Sequence, residues 1–140
     1  MERATDAELE SKDSYRTPIL ARTDDRRELI IAGADYVTAH ELATGRELWR
    51  GGGFNPKRTK IANTIGTPIA ADGLVYTQSR GRMGPLIVYR GGGTGDVSTT
   101  HRQWTFDNGP HIASPVTDGQ FFYSVTDNGI LWCLKGGSDV

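Results

Sequence analysis

The sequence predicts an all-β fold built from repeated four-stranded antiparallel sheets, about three of them, with the last incomplete and the ring of sheets not closed. Three observations carry that expectation. Eighteen glycines and six prolines punctuate apolar runs only a few residues long, the pattern of short strands joined by tight turns. The chain also repeats itself: "TPILARTDDRRELIIAG" begins at Thr17, "TPIAADGLVYTQS" at Thr67 and "SPVTDGQFFYSVT" at Ser114, a recurrence of about 50 residues. Finally, Asp72-Gly73 and Asp118-Gly119 fall between paired apolar runs, and Asp-Gly supplies the positive φ that a tight hairpin demands.

The elements follow in order. Residues 1–13 are polar and offer almost nothing to bury, so they are expected as a mobile tail ahead of a domain spanning 14–140. Each repeat opens with a hydroxyl residue and Pro (Pro18, Pro68, Pro115) at a strand start, where a missing N–H costs least. A second strand comes after the turn, and "LVYTQ" and "FFYSV" carry the β-branched and aromatic residues that half-buried strands favour. Third strands are expected in "YVTAHEL", "PLIVYR" and "GILWCLK", and fourth strands in "RELWR" and "RQWTF"; the third repeat reaches Val140 before a fourth. A period of this length with four strands per unit is the signature of propeller blades.

Charge excludes some partners. The formal net charge is −1, and the charges of the first 60 residues are evenly mixed in sign, so nothing points to nucleic acid or an anionic membrane. "KRTK" (Lys57 to Lys60) reads as a solvated loop. The first residues lack the apolar core of a signal peptide, and no run has the length of a membrane-spanning helix. Cys133 is the single cysteine; mid-strand between Trp132 and Leu134, it is expected to be buried and inert. His40, His101 and His111 share no metal-ligand spacing, and His40 is expected to make structural hydrogen bonds. "GGGTGD" (Gly91 to Asp96) lacks the ending of a phosphate loop and reads, like "GGGF" (Gly51 to Phe54), as a flexible turn. The triplets at Asp107 and Asp127 suit turns better than calcium. No catalytic constellation can be assembled from spacing.

The most specific stretch is "AHELATGRELW", residues 39–49. Thr-Gly falls between a third and a fourth strand, so the segment reads as strand, turn and strand. Gly45 can take left-handed geometry, Thr44 can cap backbone donors, and Trp49 buries a ring whose N–H seeks one acceptor. These residues resemble the tryptophan-docking motif of the PQQ-like (quinoprotein-type) β-propeller repeats, A-x-D-x-x-T-G-x-E-x-W. Ala39, Thr44, Gly45, Glu47 and Trp49 match at the family's spacing, with Glu41 in place of its Asp. The second repeat keeps Thr94, Gly95 and Trp104 with a stretched turn, and the third has Cys133 where the motif has Ala.

The resemblance covers residues from about 15 to 140 and implies consecutive blades of a longer propeller, with the Trp docked between neighbours. It implies a non-enzymatic scaffold or binding surface for protein partners or further blades, in a family whose members often work in the bacterial cell envelope. Pyrroloquinoline quinone and calcium enter only under an alternative, part of a quinoprotein dehydrogenase; a sensor or interaction domain of a signalling protein is a second alternative. Neither nucleic acid nor membrane insertion is expected, whereas self-association through open blade faces is.

Overall fold

The computed structural model describes residues 14–33, 35–55, 65–78, 84–110 and 112–136. The expected tail, the "KRTK" cluster and His111 lie outside those residues. Among the described residues there is no helix, and twelve strands form three sheets. The first sheet orders β1 (Ile19–Arg22), β2 (Arg27–Ala32), β3 (Val37–Glu41) and β4 (Glu47–Gly51), and adds β8 (Gly95–Asp96) at its edge. The second is β5 (Ile69–Ala71), β6 (Leu74–Gln78), β7 (Leu86–Arg90) and β9 (Arg102–Phe106). The third is β10 (Val116–Thr117), β11 (Phe121–Val125) and β12 (Leu131–Lys135). Every pairing is antiparallel except β4 with β8, which is parallel.

Local chemistry fixes the hairpins. Asp72 and Gly73 have φ of +49° and +75°, the two positive angles that match the right-handed twist of β5 and β6. At the corresponding turn of the third sheet, the Asp118 carboxylate accepts the N–H groups of Gln120 at 2.9 Å and Phe121 at 2.6 Å. These bonds, the one from Phe121 foremost, hold the Asp118 carboxyl below its usual range.

The registers align the sheets position by position. Ile19, Ile30, Ala39 and Trp49 stand opposite one another across the first sheet. Ile69, Tyr76, Val88 and Trp104 form the same row in the second, and Val116, Tyr123 and Cys133 in the third. Strand side chains alternate between faces, so each row marks one face of its sheet. In the first sheet that face packs with Val75, Ile87 and Tyr89 of the second. The same face of the second sheet packs with Phe122 and Leu134 of the third. The middle sheet is therefore buried on both sides, which explains the near-continuous apolar run Leu86–Tyr89 in β7.

The third row is covered by none of the described residues. Cys133, expected to be buried, is exposed, because none of the described residues packs over it and an apolar-flanked strand position is buried only where something covers its face. The two glycine-rich segments also differ from the flexible turns expected of them. Gly51, Gly52, Gly93 and Phe54 are buried, and a Cβ on Gly51 would meet the Tyr89 ring at 2.7 Å. Here glycine permits close packing of a ring against backbone.

Candidate functional site

The turn between β3 and β4 folds as its residues require. Gly45 takes φ of +71°, its N–H donates to the Glu41 carbonyl at 2.8 Å, and the Glu41 N–H donates to the Arg46 carbonyl at 2.9 Å. The Thr44 hydroxyl donates to the Glu41 carboxylate at 2.5 Å and accepts the Arg46 N–H at 3.2 Å. Glu41, standing where the resembling motif has Asp, thus closes the turn with its side chain. Glu47 grips Arg50 through two bonds of 2.6 and 2.8 Å, and that guanidinium lies 5.3 Å from the centre of the Tyr36 ring. A register shift between Ala39 and His40 leaves Ala39 opposite Trp49, where a small side chain sits across from the ring. Buried His40 reaches the Gly45 carbonyl at 3.0 Å and the Thr38 hydroxyl at 2.9 Å, the structural hydrogen bonding expected of it.

Trp49 is fully buried, and its indole N–H donates to the Glu28 carboxylate at 2.9 Å. Glu28 is fully buried too, and its other oxygen accepts Arg26 Nε at 2.8 Å. From the second sheet's side, the Gly92 N–H approaches the same carboxylate at 3.4 Å. Arg26 in turn donates to the Gly93 carbonyl at 2.9 Å. A carboxylate taken out of water must be paired and hydrogen-bonded or it destabilises the fold by several kcal/mol. The partners that Glu28 finds tie β2, β4 and the loop after β7 into one polar knot at the seam of the first two sheets.

That loop does more than turn. The Trp49 and Arg50 positions pair with Gly95 and Asp96 as the parallel edge β8, the Val97 N–H donates to the Arg50 carbonyl at 2.8 Å, and Ser98 accepts the Gly52 N–H at 2.8 Å. Thr94 and Gly95 therefore sit against the first sheet and not in a tight β7–β9 turn like that of Thr44 and Gly45. Tyr89 completes the seam. Its ring stands 6.4 Å from that of Trp49 and 6.3 Å from Phe54, and its hydroxyl donates to the Gly52 carbonyl. Burial pushes the Tyr89 phenol up, while Arg102 opposes the shift.

The second seam is built differently. Tyr76 stacks on Phe122 at 5.0 Å and meets Trp104 edge-on at 6.1 Å, and Phe106 meets Trp132 at 5.2 Å. The indole nitrogens of Trp104 and Trp132 are buried without a hydrogen-bond partner among the described residues. Trp104 thus takes the row position of Trp49 without its acceptor: the residue matching Glu28 in the second sheet is Leu74, which, like Glu28, lies two positions before the row residue on the second strand.

The structure brings Ala39, Glu41, Thr44, Gly45, Glu47 and Trp49 together, adds Thr94 and Gly95 from the side, and places Trp104 in the other seam. Glu28 was missed in the sequence although it was legible. In "RELIIA" the two-residue alternation puts Glu28 on the face of Ile30 and Ala32, and an acid on a core face needs a partner. Among the described residues, no three of His, Cys, Asp and Glu converge as a metal-binding group. The arrangement does mechanical work, holding two sheets in register. No protein-family model matches this chain, and a search of curated proteins finds no match either.

Two measurements probe the seams. Trp49→Ala is expected to cost about 3–5 kcal/mol, as for a buried aromatic truncated to Ala, and Trp104→Ala less, since only Trp49 gives up a charged acceptor. Urea melts with an equal or reversed ranking would contradict the distinction. Asp96 supplies a pH test. The Ser98 hydroxyl and N–H, helped by Arg50, hold its carboxyl below the usual range. Its ionised form therefore stabilises the protein above the unfolded-chain value, and the contribution is lost as pH falls through the folded one. Asp96→Asn is expected to lower the urea midpoint at neutral pH, with the gap closing as pH falls through the depressed folded-state range of Asp96. A gap unchanged in acid would show that charge at Asp96 plays no part in fastening β8.

Proposed function

We propose that this chain is a non-enzymatic β-propeller repeat module whose sheets are blades, serving as a scaffold or binding surface for protein partners. One observation carries the reading. The same cross-strand row, ending in Trp49 and then in Trp104, recurs in register in consecutive sheets and is turned each time onto the next sheet. The first strands support it, because β1 lies against β5 and β5 against β10, as the inner strands of blades do around a shared axis. The resemblance of residues 39–49 to the docking motif of PQQ-like repeats agrees with a ring held by tryptophan clasps, and by that resemblance alone the bacterial cell envelope is the proposed setting. The buried polar groups of the first seam are engaged with one another, which suits a clasp and leaves recognition to the exposed faces.

The discriminating experiment is equilibrium dialysis with pyrroloquinoline quinone and calcium, followed by a dye-linked alcohol oxidation assay. Neither quinone retention nor oxidation is expected. Micromolar binding at one site per chain would replace the scaffold with the quinoprotein alternative.

A further inference from the structure

We infer that the second seam binds one ordered water molecule as a polar key, hydrogen-bonded to Gln78 of the second sheet and to Ser124 and Trp132 of the third. Three side-chain atoms carry the inference. Gln78 Oε1, Ser124 Oγ and Trp132 Nε1 are buried and have no hydrogen-bond partner among the described residues. Gln78 and Ser124 are only 1% and 3% exposed, so bulk solvent does not answer them. Polar groups left unmet at such depth destabilise a fold, and native proteins satisfy nearly all of them with protein atoms or ordered water.

The registers bring the three residues together. Gln78 follows Tyr76 by two positions on β6, and Ser124 follows Phe122 by two on β11. Tyr76 and Phe122 stack across the seam at 5.0 Å. Side chains two apart share a face, so Gln78 and Ser124 form the next pair along the same contact. Trp132 stands opposite Ser124 on β12. Its ring meets Phe106 at 5.2 Å, and Phe106 lies in one cross-strand row with Leu86 and Gln78. The chemistry of the three is complementary. Gln78 Nε2 donates to the Ala113 carbonyl at 3.2 Å and lies 1.3 Å from where a Cβ on Gly66 would stand. That amide is committed, and only its Oε1 is left, as an acceptor. The Trp132 indole can only donate, whereas the Ser124 hydroxyl can do either. One water accepting from Trp132, donating to Gln78 and bonded to Ser124 satisfies all three, and about three bonds is what a buried water typically makes. It joins β6, β11 and β12, giving the second seam a directional contact in place of the carboxylate knot of the first.

The test pairs a magnetic-resonance measurement with a stability measurement on the full chain. In water-selective NOE and ROE spectra, the Trp132 indole N–H (assigned through Trp132→Phe) is expected to show a water cross-peak of opposite sign in the two. That is the mark of a long-lived water and not of hydrogen exchange. Trp49, whose N–H is taken by Glu28, is the internal control. Ser124→Ala removes the one exchangeable hydroxyl that could mimic water, and the cross-peak is expected to persist there because Gln78 and Trp132 still hold the molecule. The same variant is expected to lower the urea midpoint, since a hydroxyl bonded to water is lost. A buried hydroxyl without any bond would behave in the opposite way, and its removal would leave the midpoint unchanged or raise it. That result would overturn the inference. So would a Trp132 cross-peak no stronger than that of Trp49, or one that vanishes in Ser124→Ala.

Discussion

The buried carboxylate of Glu28 is the constraint around which the first two sheets are arranged. It sits at 0% exposure on the core face of β2, where an unpaired charge would destabilise the fold by several kcal/mol. Its demands set the positions of its neighbours. Trp49 must present its N–H, which fixes the register of β4 against β3. Arg26 must fold back across the β1–β2 turn, where it also reaches the Gly93 carbonyl. The glycine-rich loop must then lie close to the first sheet, and its path brings Gly95 and Asp96 alongside Trp49 and Arg50. A local charge requirement becomes a fastening between two sheets.

The two seams consequently differ in character. The first combines aromatic packing with directional bonds to a carboxylate and to backbone carbonyls, so sliding one sheet on the other breaks specific contacts. The second relies on stacked and edge-on rings and leaves two indole N–H groups unpartnered among the described residues. Non-directional burial tolerates small displacements better than a hydrogen-bonded ion pair does. Among the described residues the third sheet has fewer strands than the other two, one packed face and the weaker seam, which makes it the part most easily displaced.

Much of the fold was legible in the sequence because its signals are local. Asp72-Gly73 and Asp118-Gly119 specify hairpins through backbone angles, and alternation in "LVYTQ" and "FFYSV" specifies strands and their faces. The docking stretch was legible too, since Thr44 and Gly45 dictate the turn that carries Trp49. Other features were hidden because they depend on what lies across a seam. Cys133 has the same apolar flanks as a buried residue, yet none of the described residues covers it. Gly91 to Asp96 carries no apolar side chain, so nothing in it announces that it packs on the first sheet. Glu28 lies between the two cases, visible as an acid on a core face but silent about which groups answer it.

The central claim is that Trp49 and Glu28 act as one unit, and a double-mutant cycle tests it most directly. Trp49→Phe keeps an aromatic ring and removes the N–H, while Glu28→Leu removes the acceptor and keeps much of the volume. Measured by urea denaturation, the two changes are expected to be coupled by about 1–3 kcal/mol, as for residues in direct contact within one network. Effects that add to within about 0.5 kcal/mol, the behaviour of independent sites, would contradict it.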